Sequence, residues 1–400
     1  MARTVKATAA QDKKEKGFLK RILATDGADM PAGKTDKLFV LLVILLLFAG
    51  SVMVFSASRA YADTHFGDKN YFVRLQLLFA VFGITAMYIT SRLPLSFYKK
   101  IAFPGYIVTA VLLLLVLLIG TSAGGAKRWL SLGPFSFQPS EVAKTILILT
   151  LSRYFSEHHT EVLTYSNRGR AFRYGILFPC LILLPYCGLI MLQKHFSCII
   201  ILGCLTVIMM FAAGSDIRRI AVFSVPAIAG VGAFAWFTEY TRRRILIWFN
   251  PEKFPTDGGW QTLQGLMAIG SGGFFGLGLG NSRLKYSYVS EPQNDFIFTI
   301  VCEELGFIGA FLIILLFFLF VMRGIKIGLN NTDAFARLTA VGLVSKVGVQ
   351  VLLNLGVITN LLPNTGISLP FFSYGGSSLV MLMAEMGIVL SVSRTSLYRR

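Results

Sequence analysis

Long stretches without a single charged side chain recur along this sequence, among them Leu38 to Ser58, Ile101 to Ala126 and Leu305 to Met322. Roughly 18 to 20 such residues, wound as a helix, cross the hydrocarbon core of a bilayer. Helix is the form they must take, because a backbone amide left unpaired in lipid costs several kcal/mol. Composition agrees: 54% hydrophobic and 14% charged residues suit lipid as solvent far better than a set of soluble domains.

Reading the apolar runs in order gives ten expected spans, at 38–57, 71–91, 101–121, 138–154, 174–192, 196–213, 220–240, 295–322, 337–358 and 376–393. The expected fold is therefore an all-α polytopic membrane protein of about ten transmembrane helices. A polar tail, 1–36, precedes a membrane domain over 37–400, and one long loop, 241–294, joins the seventh and eighth spans. The tail lacks a short apolar core and a cleavage site, so it reads as a disordered tail and not as a removable signal peptide. An even count puts both termini on one side. With that side cytoplasmic, the inside segments carry 24 of the Lys and Arg residues and the outside segments 12, which is the direction the positive-inside rule requires. Half of the outside cations lie in the one long loop.

Several function classes drop out. The formal charge of +18 comes without a basic helix or basic-aromatic sheet pattern, so nucleic acid is not an expected partner. The five cysteines fall in or near apolar runs without CxxC spacing and read as small membrane residues. Gly33-Lys34-Thr35 has neither the leading glycine nor the strand of a phosphate loop. The motifs HExxH and GxSxG are absent, and the histidines, His65, His158, His159 and His195, are not at zinc-binding spacing.

Ionisable residues in or at the edge of a membrane are costly and default to functional candidates. Here they are Glu141, Lys144, Asp295, Glu303, Glu304, Lys346 and Glu385. Glu141 and Lys144, three apart on one helix face, can pair with each other or serve a ligand. Glu303 and Glu304 read as bonds to neighbouring helices, and Lys346 with Glu385 as an interhelical pair. Asp295 differs, since it ends a polar segment just before Phe296-Ile297-Phe298 and belongs at the outer headgroup level. Arg283, Lys285 and the Lys127-Arg128 pair are the basic neighbours expected around it. A carboxylate among cations suits an anionic lipid-linked sugar. A diphosphate leaves well, so one base for the attacking hydroxyl and positive charge for the leaving group would suffice, without the second carboxyl that glycoside hydrolysis needs. Within the loop, Gln261 to Ile269 has an amphipathic helical look. Gly272, Gly276 and Gly280, four apart, mean either close helix packing or a re-entrant turn that admits a ligand to the backbone.

The segments AIGSGGFFGLGLGNSRLKY (268–286) and EPQNDFIF (291–298), with GAKRWLSLGPFSFQPSEVAK (125–144), GSDIRR (214–219) and LLPNTGISLPFFSYGGSS (361–378), resemble the SEDS family of shape, elongation, division and sporulation proteins. The loop and the polar extension look more like the FtsW-like division and sporulation branch than the RodA branch. The resemblance implies a ten-span peptidoglycan glycosyltransferase that polymerises lipid II at the outer face of the cytoplasmic membrane, at the division septum. A class B penicillin-binding transpeptidase and other division proteins would be its partners. It implies Asp295 as the catalytic carboxylate, and Arg128, Trp129, Gln138, Pro139, Ser140, Glu141 and Lys144 as cavity lining. Arg283 and Lys285 join them as candidate substrate contacts. A divalent cation, magnesium or manganese, is a candidate companion of the diphosphate, while no organic cofactor or dedicated metal site is expected. Three departures stand out: Lys194 follows Gln193 where many members have proline, Asn364 replaces a small apolar residue, and Pro292 follows Glu291 instead of preceding it. A lipid II flippase and a division scaffold are the rival functions, and the chain lacks the internal repeats that a flippase usually carries.

Overall fold

The computed structural model describes residues 33–123, 126–132, 135–163, 168–254, 258–286 and 292–395. Most of the expected tail lies outside these residues. Each of the ten expected spans falls on a helix. These are α1 (Lys37–Phe66), α2 (Tyr71–Arg92), α3 (Leu95–Ile119), α4 (Pro139–Glu157), α7 (Phe178–Leu192), α8 (Phe196–Ala212), α9 (Ile217–Phe237), α12 (Ile297–Leu329), α13 (Ala334–Ile358) and α14 (Gly376–Thr395). Short α5 (His159–Val162) and α6 (Arg168–Phe172) join α4 to α7, the latter through a π-helical turn at Arg173–Leu177. Among the described residues, seven helical stretches are both long and apolar enough to cross a membrane, and Phe196–Ala212 is apolar but shorter. The long loop holds α10 (Glu239–Phe249) and α11 (Gly259–Ser271).

Strands were not expected. A three-stranded antiparallel ribbon, β1 (Thr121–Ala123), β2 (Ala126–Leu132) and β3 (Phe135–Phe137), stands between α3 and α4, with Thr121 opposite Trp129 and Leu130 opposite Phe137. Its strands are short, and β1 falls within the uncharged stretch that ends at Ala126, so span-seeking patterns pass over them.

The helices sort into two kinds by burial. About 61% of the apolar window is buried in α13 and in α14, against 22–28% in α2, α3 and α12, so the first two form the centre and the others present large apolar side chains outward. Phe48, Val81, Phe82, Ile119 and Phe311 are exposed in this way and suit contact with lipid tails. Close approach of α14 to α2 depends on one missing side chain. A Cβ on Gly387 would sit 2.3 Å from the Met87 carbonyl oxygen and against Thr90 Oγ1, and that hydroxyl donates across the interface to the Ala384 carbonyl at 2.9 Å. Small residues with a cross-helix hydrogen bond are how helices associate where no hydrophobic force drives them together.

Both ends of the described chain meet at one face. Arg394 Nε donates to the Gly33 carbonyl, the Asp36 amide donates to Ser393 Oγ, and Arg323, near the end of α12, holds Asp36 at 2.6 Å. Asp36 also caps α1 by accepting from the Phe39 amide. Since α12 runs from Asp295 toward Arg323, Asp295 lies on the face opposite the chain ends.

α12 is not continuous. Gly306 has φ 66 and ψ −168, a conformation open essentially only to glycine, and it breaks the helix two turns in. The loop after α11 fills the gap: the Leu277 and Gly278 amides donate to the Glu303 and Glu304 carbonyls at 3.0 and 2.9 Å. In return the Phe307 amide donates to Gly273 O at 2.8 Å. Gly276, at φ 78, lies so close that an added Cβ would meet Glu304 O at 2.2 Å. Of the two readings of the glycine repeat, Gly272 and Gly276 are packed against α12, and the segment carrying them is a turn. Gly280 has nothing within 4 Å of an added Cβ.

The α2–α14 contact is directly testable. Gly387→Ala should lower the unfolding temperature of the purified protein, with overpacking costing about 1–3 kcal/mol. Gly188→Ala on α7, where an added Cβ meets nothing within 4 Å, is the matched control and should leave it unchanged or raise it.

Candidate active site

Asp295 sits half-buried in the turn that enters α12, and its backbone is pinned from several sides. Asn354 on α13 donates to the Asp295 carbonyl at 2.8 Å and to Ile367 O at 2.7 Å. Ser373 Oγ donates to Asn294 O at 3.0 Å, and the Tyr374 amide donates to Gln293 O at 2.8 Å. The carbonyls of 293, 294 and 295 are thus held in succession by α13 and by the loop that leads to α14. Gly366, at φ 70, faces the carboxylate, and a Cβ there would lie 3.1 Å from Asp295 Oδ2.

Asn354 was missed as a site residue, although a signal for it exists. Lys346, Gln350 and Asn354 recur every four residues along an otherwise apolar helix and therefore share one face, each step rising about 6 Å. Below Asn354, Gln350 and Lys346 line a small cavity with Glu141, Ser368, Ser373 and Ser378, about 30 Å³ in volume. That is room for one or two waters, not for a sugar. Phe371 on its wall has φ 66, a strained conformation for a bulky residue.

Below the cavity the buried charges are paired. Glu141 Oε1 and Lys144 Nζ are 2.7 Å apart, and Lys346 Nζ lies 2.5 Å from Glu385 Oε1, which also accepts from Thr145 Oγ1. The expected Lys346–Glu385 pair is present, and Glu141 and Lys144, open between pairing and a ligand in the sequence, are paired with each other. Removing one member of such a pair leaves an uncompensated buried charge and typically costs about 3–5 kcal/mol.

Glu303 and Glu304 do more than bond a neighbouring helix. Glu304 accepts from Ser56 on α1, from the Ser282 amide and from Lys285 Nζ at 3.0 Å, while Glu303 accepts from Ser282 Oγ at 2.5 Å and from the Arg283 amide. This corrects one expectation. Lys285 does not face a ligand: its side chain is 4% exposed, and its ammonium is spent on Glu304 and on the Gly280 carbonyl. An ammonium beside a buried carboxylate and a carbonyl is held there by charge pairing. Arg283 is exposed and offers its head group outward.

The remaining predicted residues divide. Arg128 and Trp129 are neighbours on β2, so their side chains leave opposite faces of the ribbon, and Arg128 Nη2 donates to the Lys194 carbonyl at 3.1 Å. Gln138 occupies the N-cap position of α4, followed by Pro139 in the first turn, without a side-chain capping bond. Ser140 is buried, and its Oγ has no hydrogen-bond partner. Among the described residues, no three of His, Cys, Asp and Glu converge as a metal cage. A divalent ion carried by a diphosphate needs only one or two protein carboxylates; Glu141 lines the cavity with Ser368 and Leu369, and Asp295 Oδ2 faces Gly366 in the same loop.

His195 was also passed over. It is buried in the turn between α7 and α8, its Nδ1 has no partner, and burial together with the Arg128 and Lys144 cations pushes it down to about 3. The imidazole is therefore neutral, under positive potential from both cations.

Comparison with known proteins places this geometry. The family model for FtsW, RodA and SpoVE, described as a cell cycle protein, matches residues 36–398. The chain belongs to the FtsW/RodA/SpoVE family. It is 38% identical to stage V sporulation protein E of Bacillus subtilis (strain 168) over 365 residues, covering 91% of this chain and 98% of that protein. It is 36% identical to the probable peptidoglycan glycosyltransferase FtsW of Geobacter sp. (strain M18), covering 90% and 96%. Among solved structures, a chain from a study of how a peptidoglycan synthase complex coordinates polymerization and crosslinking aligns with a TM-score of 0.75 at 27% identity, covering 92% of this chain and 99% of that one. The rod shape determining protein RodA of Thermus thermophilus aligns with a TM-score of 0.66 at 28% identity, covering 92% and 98%. Membership in this family fits the polytopic all-α fold.

His195 generates a pH prediction. Its folded pKa lies below the unfolded value, so the unfolded chain binds the extra proton between about 6.5 and about 3. Stability that is fully present above about pH 6.5 should fall as the pH drops through that window. His195→Gln should flatten the fall, as read by the unfolding temperature of the purified protein at stepped pH.

Proposed function

We propose that this protein is a peptidoglycan glycosyltransferase that polymerises lipid II at the outer face of the cytoplasmic membrane during cell division, with Asp295 as its general base. The observation that carries the reading is the anchoring of Asp295: a carboxylate on the face opposite the chain ends, its carbonyl held by Asn354 and those of Asn294 and Gln293 just before it by Ser373 and the Tyr374 amide. The names of the relatives support the reaction class, and the excess of cations on the side of the chain ends supports the orientation.

In the proposed step, the hydroxyl of an incoming lipid II attacks the anomeric carbon of the growing glycan. The carbon–oxygen bond to the diphosphate breaks, Asp295 takes the hydroxyl proton, and the diphosphate leaves with the bonding pair. Arg128 and Arg283 offer positive charge for that leaving group, and Glu141 with Lys144 forms a polar wall next to it. A magnesium or manganese ion, when bound with the diphosphate, would add charge neutralisation. A class B penicillin-binding transpeptidase is the proposed partner, since crosslinking must follow polymerisation of the same strand.

Two measurements test this. A reporter fused after Arg400 should be active only in the cytoplasm, and one inserted near Asp257 only outside; the reverse labelling removes outer-face polymerisation. Asp295→Asn keeps volume and hydrogen bonding but cannot take a proton, so it should reach the membrane normally and make glycan about 10²–10⁴-fold more slowly. Asp295→Glu, misplaced by roughly an ångström, should lie between Asn and wild type. An Asn variant with more than about a tenth of wild-type polymerisation, in an assay with labelled lipid II, would assign the base to another group.

A further inference from the structure

The long loop contains an uncharged run of its own, from Gly258 to Ser282. It holds α11 and the glycine-rich turn that fills the break in α12. α11 has 13 residues, about 20 Å of helix, which is too short to cross a hydrocarbon core of about 30 Å. Its polarity is inverted relative to a helix that faces water: Thr262, Gln264 and Gly265 are buried against the protein, while Trp260, Leu266 and Met267 are exposed. At the tip of the turn, Phe274 and Phe275 stand 70% and 84% exposed.

The contacts of the turn set its level in the molecule. The Phe307 and Ile308 amides donate to the Gly273 and Phe274 carbonyls at 2.8 and 3.2 Å, so the tip lies beside the point where α12 resumes. From Phe307 to Arg323, which binds Asp36 at the face of the chain ends, the helix rises about 24 Å, less than the thickness of the hydrocarbon core. With Arg323 at the inner edge of that core, Phe274 falls inside the outer edge. Its ring lies 6.0 Å from that of Phe307, which in turn stacks on Phe311 at 6.3 Å on the exposed apolar side of α12. Charges at this level are turned inward: Glu303 and Glu304 are buried behind the turn, and Lys285 is paired with Glu304 at 3.0 Å. The turn's backbone is taken up as well. The Gly276, Leu277 and Gly278 amides donate to the Gly272, Glu303 and Glu304 carbonyls, which is the condition for non-helical chain at membrane depth.

We infer that α11 and the glycine turn form a re-entrant segment, which enters the outer leaflet from outside and leaves it before Arg283, with Met267, Phe274 and Phe275 against the acyl chains of the bilayer. Two observations favour lipid over a protein partner as the occupant. The exposed side of the segment continues into that of α12 at Phe307 and Phe311 with no charged residue between them, whereas a protein interface carries a polar rim. Helices that dock within a membrane meet through small residues, and here Gly272 and Gly276 are already used against α12, which leaves bulky side chains outward. The bilayer is thereby a second support for the loop that leads to Asp295, whatever reaction that carboxylate serves.

The test places the full chain in phosphatidylcholine nanodiscs and reads tryptophan emission from Phe275→Trp as the difference from wild type, since the four native tryptophans are common to both. That emission should be blue-shifted, should lose most of its intensity when the acyl chains are brominated, and should resist acrylamide added to the water. Tyr286→Trp, exposed and three residues beyond Arg283, is the control and should show the opposite order. Both changes put one aromatic ring in place of another at an exposed position, and Phe274→Trp repeats the reading should Phe275→Trp lower the unfolding temperature. Acrylamide quenching at 275 equal to that at 286 overturns the proposal, because the tip would then lie in water. Shielding of 275 from both quenchers overturns it as well and assigns the surface to a protein contact, such as a second copy of this chain. Quenching by brominated acyl chains at 274 and 275 but not at 286 is the result that upholds it.

Discussion

Every backbone amide and carbonyl within lipid must find a partner inside the protein, and the break in α12 is where that requirement shapes the rest of the molecule. At Gly306 the helix gives up its own ladder, and the glycine-rich turn after α11 supplies replacement donors and acceptors. Glu303 and Glu304, in the turn before the break, accept from Ser282, Arg283, Lys285 and Ser56, which ties the same turn to α1 as well. The long loop is therefore fastened to the start of α12 at several points. Asp295 enters that helix only a few residues earlier and inherits its fixed position from the same arrangement.

Fastening from below is matched by fastening from the side. The polar stripe on α13 places Asn354 under the Asp295 backbone, Gln350 at the cavity and Lys346 on Glu385. α13 and α14 are the most enclosed helices, so these polar groups lie where an unmet hydrogen bond is most costly. Placing Asn354, Gln350 and Lys346 there imposes a penalty on the fold unless each partner is present, which makes the register of α13 against α4, α12 and α14 specific. A helix of uniform leucine could slide, but one carrying an amide that must meet two carbonyls cannot.

Much of this was legible in the sequence, and the limits have physical causes. The helices were readable because lipid demands long apolar runs, and the turn before α12 was readable because a carboxylate ends a polar segment there. The Lys346–Glu385 pair followed from the scarcity of partners in a membrane interior, whereas the spacing of Glu141 and Lys144 allowed either a mutual pair or a ligand role. The break at Gly306 was not readable, since one glycine within Leu305-Gly306-Phe307 is common in an unbroken membrane helix. Lys285 misled for a related reason. Proximity to Asp295 in the chain suggested a shared ligand, but the turn swings its ammonium inward to Glu304, a carboxylate read from the sequence as a bond to a neighbouring helix. The β1–β3 ribbon escaped because strands of three to seven residues leave no periodic signal.

Charge pairing differs between the core and the loops. Within the core, Glu141, Glu304 and Glu385 each have a lysine within 3.0 Å, so those cations are matched locally and add little field at a distance. On the loops, Arg128 donates to the Lys194 carbonyl and Arg244 to the Asn364 carbonyl, which ties both guanidinium groups to neighbouring backbone. Burial is the first cause that keeps His195 neutral; the Arg128 and Lys144 cations add to it, and the Glu141 carboxylate opposes it.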